Sequence, residues 1–190
     1  MPLDAAGCIG ASILTHSGIY FDFDDPTPEQ IKIEDIATAL GNTCRYGGHC
    51  RFYSVAEHSV LCASVAQQKE PGNLELARHA LMHDAAEAYI GDMPKPLKRI
   101  MPEFRAMEDR IEAVVRETFG LIGEFEDQVK WIDLAMLKAE KLWLFPRDRT
   151  EWGGLSGLPV LEVELKLWGP RAARSAFLHA YRDLFGRETF

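Results

Sequence analysis

A short stretch of the chain, Leu81–Asp92, constrains the fold more than any other. Four groups that can bind a metal ion or transfer a proton lie within it: His83, Asp84, Glu87 and Asp92. Their neighbours are mostly apolar, so folding carries these groups into a poorly hydrated setting, where a charge without a partner is costly. We therefore expect a divalent cation here, bound by the adjacent histidine and aspartate together with residues from elsewhere in the chain.

Size and charge narrow the possible partners. The 190 residues suit one domain, which we expect over residues 1–190, with its core at about 27–145 and a C-terminal helix 170–185 packed on it. The formal net charge is −8, which argues against a nucleic-acid polymer or an anionic membrane as the partner. A small anionic substrate remains compatible, because a few well-placed cations are enough to hold a phosphate.

Other sequence signals bear on the compartment and on the thiols. No uncharged apolar run approaches the ~18 residues of a membrane-spanning helix. The start Met1–Asp4 lacks the basic residues of a secretory signal, so we expect a cytoplasmic protein. The four cysteines fit reduced thiols. Cys44, His49 and Cys50 also resemble half of a zinc site, but no second paired cluster completes it.

Helical periodicity dominates the chain, so we predict an all-α fold, a helical bundle with a possible short N-terminal hairpin near Ile19–Phe23. Thr27–Gln30 and Ser54–Glu57 have the pattern of capping boxes, and each precedes a helix. Apolar spacing predicts further helices over residues 74–90, 103–119, 124–145 and 170–185.

Three segments admit two interpretations each. Loop 43–54 suits either a phosphate or a simple reversal of the chain, and its His49 and Arg51 suit phosphate contacts or structural roles. Residues 160–168 fit a short strand or a helix. The amphipathic helix 103–119 is typical of a scaffold or of a subunit contact, and it favours a homo-oligomer, either a dimer or a hexamer.

A complete metal shell needs ligands at core-facing positions of other helices. His58 lies on the apolar stripe of the helix that follows Ser54, and Asp133 lies beside the apolar stripe of helix 124–145. The alternative to a metal site is structural. His58 would then be a core histidine with its hydrogen bonds satisfied, and Asp133 would lie at the solvated edge of its helix. Glu87 lies one turn beyond His83, where it can accept a proton from bound water or hydrogen-bond a ligand.

These elements, in this order, resemble the HD-domain superfamily of metal-dependent phosphohydrolases. The likeness covers about residues 15–145 and is strongest for the 5'-deoxynucleotidase branch. A bare His-Asp pair is a poor signal, whereas four elements in order are a specific one. The opening of the chain is similar to a compact subgroup that includes phage dATP triphosphohydrolases. The residues that carry the resemblance are Glu57-His58-Ser59, His83-Asp84-Ala85-Ala86-Glu87, Gly91-Asp92-Met93-Pro94-Lys95-Pro96-Leu97-Lys98, Asp133, Tyr20-Phe21-Asp22-Phe23 and Cys44-Arg45-Tyr46-Gly47-Gly48-His49.

The resemblance implies roles for particular residues. It implies that a divalent ion (Co, Zn, Mn or Mg) is bound by His58, His83, Asp84 and Asp133. It implies a catalytic set of Asp84, Asp92 and Glu87, in which Glu87 handles the proton or positions water. Asp92 would face the sugar 3'-hydroxyl or a second cation. The nucleotidases have a tryptophan where this chain has Tyr46, and this difference bears on base preference. Tyr46 would stack on a sugar or a base. The residues that would bind phosphate are Arg45, Lys95 and Lys98.

Three functional hypotheses follow. The first is a phosphohydrolase of 2'-deoxynucleotides, a dATP or dNTP triphosphohydrolase, with a 5'-deoxynucleotidase acting on dNMPs as the alternative. The second is an HD-type module that binds a nucleotide without turnover, against which the full ligand set argues. The third is a purely structural helical protein, which is disfavoured because the clustered acidic groups lack enough basic partners nearby.

Overall fold

The computed structural model describes residues 10–186, and these are mostly helical, as predicted. Met1–Asp4 and Cys8 lie outside the described residues. Over the described range, no helix combines the length and the apolarity needed to cross a bilayer. The elements are strands β1 (Ser12–Leu14) and β2 (Tyr20–Asp22) and helices α1 (Ile33–Asn42), α2 (Val55–Lys69), α3 (Leu74–Met82), α4 (Glu87–Ile90), α5 (Lys95–Lys98), α6 (Pro102–Thr118), α7 (Glu126–Leu144) and α8 (Pro170–Phe185).

The N-terminal hairpin is present and closes one side of the core. Strands β1 and β2 pair antiparallel, with Ile13 opposite Phe21. Phe21 is fully buried and stacks on Tyr89 of α4, with 4.0 Å between ring centroids. The hairpin is therefore attached to the short helix that follows the His-Asp pair.

Helix α2 is the centre of the bundle, since it packs against α1, α3, α7 and α8. Ser54 caps it as predicted, because its side chain accepts a hydrogen bond from the Glu57 backbone N–H at 3.1 Å. His58, one turn into this helix, has no exposed surface. The packing of four helices around α2 thus places His58 in the middle of the protein.

The prediction of a capping-box role for the Glu57 side chain is wrong. Its carboxylate is fully buried and accepts hydrogen bonds from the backbone N–H groups of Lys166, Leu167 and Trp168, at 2.7 to 2.9 Å. Residues 160–168 consequently form neither of the two predicted elements, strand or helix. The three backbone N–H groups of residues 166–168 are thus satisfied by a buried carboxylate and not by a neighbouring strand or a helical turn, and each such bond is worth about 1.5–3 kcal/mol.

Thr27 caps a different element from the one predicted. The capping box from Thr27 to Gln30 is formed, but it encloses only a single 3₁₀ turn over Pro28–Gln30. The chain then leaves the helical path at Ile31, whose φ is −92° and ψ is 121°. Because Ile31 and Ile33 are both buried, this extended step brings two isoleucines into the core before α1 begins.

The prediction of one continuous helix over residues 74–90 is also wrong. Helix α3 ends at Met82, and a tight turn of i→i+3 hydrogen bonds follows, from Ala85 N–H to Met82 O and from Glu87 N–H to Asp84 O, each at 3.0 Å. In a regular helix, adjacent side chains diverge by about 100°. The turn changes that geometry at the two residues that were expected to share a metal ion.

Candidate metal centre and active site

The four residues predicted as metal ligands converge on one point. His83 Nε2 lies 3.2 Å from Asp84 Oδ2 and 3.3 Å from His58 Nε2. His58 Nε2 lies 3.6 Å from Asp84 Oδ2 and 3.4 Å from Asp133 Oδ1. Three elements supply these groups: α2, the turn after α3, and α7. The donor atoms meet although the residues are far apart in sequence.

The spacing of these donor atoms suits a shared cation. An ion bound at about 2.0–2.2 Å to each nitrogen and oxygen leaves neighbouring ligand atoms roughly 3–3.6 Å apart. The pairs named above all fall in that range. The donor set combines imidazole and carboxylate, which suits a borderline or hard divalent ion. These four residues therefore fit a metal ion both in geometry and in chemistry.

Hydrogen bonds orient both imidazole rings. His83 Nδ1 lies 2.8 Å from the Ala80 carbonyl oxygen, which can only accept, so this nitrogen carries the proton and Nε2 is free to bind. His58 Nδ1 lies 2.5 Å from Glu140 Oε1, which has the same consequence for its Nε2. A carboxylate behind a ligating histidine fixes the ring and raises its basicity.

Glu140 is a functional residue that the sequence interpretation missed. Its carboxylate is fully buried and also accepts hydrogen bonds from Arg45 Nη2 at 3.2 Å, Tyr46 Oη at 2.5 Å and Tyr53 Oη at 3.0 Å. Burial alone would raise its pKa, but Arg45 and His58 lower the pKa of Glu140 to about 2. The usable signal was its place two turns after Asp133 on the same helix.

Glu87 lies at the opposite side of the ligands in a very different setting. It is 7% exposed, and its Oε2 atom has no hydrogen-bond partner within the described residues. Burial, and then the charges of Asp84 and Asp92, raise the pKa of Glu87 well above its usual range. Asp92 is half-buried beside it, and burial is the main cause that raises the pKa of Asp92. Glu87 is thus placed to hold a proton.

A cleft of about 590 Å³ opens next to these groups, and we call it the first cleft. Its lining includes Asp84, Glu87, Asp92 and Asp133, and also the predicted substrate-binding residues Arg45, Tyr46, Lys95 and Lys98. Thus the candidate metal ligands Asp84 and Asp133 border one cavity with the carboxyl of Glu87 and the three cationic side chains. His49 and Arg51, the other candidates from loop 43–54, are exposed and do not line it.

The cations around the first cleft are already engaged by carboxylates. Lys95 Nζ lies 2.8 Å from Asp133 Oδ2, and Lys98 Nζ lies 2.6 Å from Glu108 Oε1. Arg45 is buried and spans two acids, with Nη1 3.4 Å from Asp84 and Nη2 on Glu140. An incoming phosphate therefore competes with these carboxylates for Lys95 and Lys98.

Aromatic rings line the other part of the first cleft. Tyr46 adopts φ 59°, an uncommon conformation for a residue with a side chain and one often found at functional sites. Its ring packs with Phe145 and Trp152, at centroid distances of 5.2 and 6.1 Å. Trp152 was not predicted as a site residue, because it lies in the irregular segment after α7. The two aromatic lining residues offer a surface for a sugar or a base.

Comparison with known proteins places the chain in a family. A family model described as 5'-deoxynucleotidase YfbR-like matches residues 49–141, a range that contains all four candidate metal ligands. The uncharacterised protein YfdR of Escherichia coli is 42% identical over 174 residues, which cover 90% of this chain and 94% of that protein. The chain belongs to the YfbR-like 5'-deoxynucleotidase family. An uncharacterised protein of Rhodobacter capsulatus is 34% identical over 174 residues, covering 85% of this chain and 89% of that protein.

Membership of the YfbR-like family gives the site a chemical context. The family lies within the HD superfamily and implies a hydrolase of nucleotide phosphate esters that uses a divalent metal. A small-molecule nucleotide is the implied substrate. Arg45 and Tyr46 precede the matched range.

Cys62 is a further neighbour of the metal centre that the sequence interpretation treated only as a thiol. It lies one turn after His58, and its Sγ is 3.5 Å from His58 Nε2. Ligand atoms of His58, Cys62 and His83 all lie within 4.8 Å of one another. Burial raises the pKa of the Cys62 thiol. The carboxylate oxygens of Asp84 and Asp133 lie 3.6 and 3.4 Å from His58 Nε2, about as near as this sulfur.

Proposed function

We propose that the protein is a metal-dependent phosphohydrolase that removes phosphate from 2'-deoxynucleotides, with deoxynucleoside triphosphates, dATP among them, as the main substrates. The observation that carries the proposal is the convergence of His58, His83, Asp84 and Asp133 beside a buried acid, at the wall of a cleft lined by aromatic and cationic side chains. A hydrolytic centre and a nucleotide-sized cavity thus occur together.

The metal ion is proposed to be held by those four side chains. When bound, a divalent cation polarises a phosphoryl oxygen and lowers the pKa of water toward neutrality. Two imidazoles among four ligands favour Zn, Co or Mn over Mg, which prefers oxygen ligands. Cys62 adds a soft atom nearby but carries no role in this proposal.

The chain's own residues supply the remaining functions. Glu87 is the proton carrier, because it is buried, has a raised pKa and has one oxygen without a partner in the described part of the chain. Asp92 is proposed to accept a hydrogen bond from the sugar 3'-hydroxyl. Lys95 and Lys98 offset the negative charge that develops on the phosphoryl group. Tyr46 and Trp152 hold the nucleoside in the first cleft.

A 5'-deoxynucleotidase acting on monophosphates is the second candidate, favoured by the description of the matching family. Both reactions break the same bond, between the α-phosphorus and O5' of the deoxyribose. Water supplies the oxygen that joins phosphorus, and O5' leaves with a proton as part of the deoxynucleoside. The candidates therefore differ only in the other groups that the α-phosphorus carries.

The test is a hydrolysis panel with all dNMPs, dNTPs and NTPs, each with Co, Zn, Mn and Mg, in which released nucleoside and phosphates are separated by chromatography. We expect deoxynucleoside and tripolyphosphate from dATP. In His83→Ala, turnover and bound metal should both fall by orders of magnitude. His49→Ala is the matched control, since that exposed histidine lies outside the cleft lining. Metal binding without turnover of any nucleotide would favour a nucleotide-binding module.

A homo-oligomer is part of the proposal, as is action in the cytoplasm, where the nucleotide pool lies. Large apolar side chains are exposed around helix α6, with Ile100 and Ile122 each 70% exposed. Such surface favours contact with another copy of the chain. Light scattering coupled to gel filtration measures the subunit number, and a monomeric mass would contradict the oligomer.

A further inference from the structure

A second cleft, of about 520 Å³, borders the metal ligands. His83, Asp84 and Asp133 line it, and it shares Asp84, Lys95 and Asp133 with the first cleft. The two cavities therefore meet at the metal centre. A phosphorus atom bound at that point would have open space in two directions.

The two clefts differ in chemistry. Tyr46 and Trp152 line the first cleft, whereas the described residues that line the second cleft include no Phe, Tyr or Trp. It is instead bordered by Arg105, Arg116 and Lys130, in addition to the shared Lys95. A flat nucleoside suits the first cavity, and a polyanion suits the second.

Two cations of the second cleft are free to bind a ligand. Arg105 and Lys130 are exposed, and neither forms an ion pair within the part of the chain that the structure describes. Arg116, in contrast, is held by Glu126 at 2.8 Å and by the Gly123 carbonyl oxygen at 3.1 Å. The pair Arg105 and Lys130 therefore offers unneutralised positive charge from α6 and α7.

Acidic residues of the cleft oppose this charge only in part. Glu126 is neutralised by Arg116. Glu112 also lines the cleft, but it is exposed, so water screens its charge. Asp84 and Asp133 are the candidate metal ligands, whose charge a divalent cation offsets.

We propose that the second cleft binds the β- and γ-phosphates of a deoxynucleoside triphosphate through Arg105 and Lys130. The inference rests on the proposed function and adds a subsite to it. The α-phosphorus lies at the metal centre, the nucleoside occupies the first cleft, and the phosphate chain extends into the second. After water attacks and O5' leaves with a proton, the nucleoside departs from the first cleft and tripolyphosphate departs from the second. A monophosphate leaves the second cleft empty.

The test is the double variant Arg105→Ala with Lys130→Ala. Each lost charge-assisted contact is worth enough to change binding about tenfold. We expect kcat/KM for dATP to fall at least about tenfold, while kcat/KM for dAMP changes less than about twofold. Calorimetric binding of inorganic tripolyphosphate to the metal-loaded protein gives a readout that needs no turnover, and it should weaken in parallel. The matched control is Arg171→Ala with Arg182→Ala, two exposed cations of α8.

Several results would overturn the subsite. One is equal loss for dATP and dAMP, and another is unchanged tripolyphosphate binding in the double variant. Wild-type hydrolysis of dAMP but not of dATP would also exclude it, while leaving the phosphohydrolase intact. If the wild type hydrolyses neither, the proposed function fails, and calorimetry alone then decides whether Arg105 and Lys130 bind a phosphate chain.

Discussion

Two buried carboxylates flank the candidate metal ligands, and they differ in how their oxygens are hydrogen-bonded. Glu140 lies behind His58 with four hydrogen-bonding partners, and its pKa is lowered to about 2. Glu87 lies on the cleft side, where one of its oxygens has no hydrogen-bond partner among residues 10–186, and burial raises its pKa. When the surroundings lower the pKa of one carboxyl group and raise that of another, the two groups serve different roles. Glu140 is a fixed negative charge that orients other groups, whereas Glu87 is available for proton transfer.

Replacing Glu87, the carboxylate at the cleft, should reduce turnover more than replacing Glu140. Glu87→Gln keeps the size of the side chain but cannot carry a titrating proton. We expect kcat to fall by about 10²–10⁴-fold, the usual contribution of a general acid or base, with metal content unchanged. Steady-state kinetics and elemental analysis measure the two quantities. Glu117→Gln, an exposed residue of α6, is the isosteric control. Loss of metal in Glu87→Gln would instead make Glu87 part of the metal shell.

Replacing Glu140, the carboxylate behind His58, should weaken metal binding rather than slow the chemical step. Glu140→Gln removes the charge behind His58, and loss of such a partner costs about 10–100-fold in metal affinity. We expect that loss in a competition titration with a chromophoric chelator, and a smaller change in kcat at saturating metal. Tyr46→Phe removes one hydrogen bond from the same carboxylate but leaves its charge on His58. Its metal affinity should stay near that of the wild type. If both variants lost metal affinity equally, the result would contradict an electrostatic role for the Glu140 carboxylate.

The difference between these carboxylates also shows what sequence can predict. Glu87 was found because it lies four residues after His83, within one local motif. Glu140 bonds His58 across 82 residues, and its one local signal is its place two turns after Asp133 on α7. Glu57 shows the same limit, because its capping pattern was local whereas its actual partners lie 109 to 111 residues away. Helices and caps depend on near neighbours, but buried polar networks depend on the completed fold.

Residues far apart in sequence nevertheless met where the motif order predicted. His58 and Asp133 were chosen because they occupied core-facing positions, and the structure brings both to the His-Asp pair. The turn at His83–Ala86 was not predicted, since alanine-rich sequence favours a continuous helix. Buried packing of α4 on the hairpin competes with that propensity. The roles of His58 and Asp133 as metal ligands stay predictions until metal binding is measured.

Acid stability gives a third test of Glu140, and this test needs no metal. The ordinary pKa of Glu140 is 4.5, and its pKa in the folded protein is about 2. A lowered pKa stabilises the folded state above the unfolded pKa, and this contribution disappears as pH falls toward the folded pKa. The full contribution is on the order of 3 kcal/mol. Urea unfolding of the metal-free protein, from about pH 6 down to about pH 3, measures it.

The other carboxylates of the centre also lose stability in acid, so the informative quantity is the difference between variants. Glu140→Gln carries no titrating group at this position, and its free energy of unfolding should approach that of the wild type as pH falls through 4.5. Tyr46→Phe keeps the carboxylate, so its curve should run nearly parallel to the wild type over the whole range. If the wild-type and Glu140→Gln curves are parallel instead, the Glu140 carboxylate has no lowered pKa. Its hydrogen bonds would then not require a charge, and the contrast with Glu87 would lose its electrostatic basis.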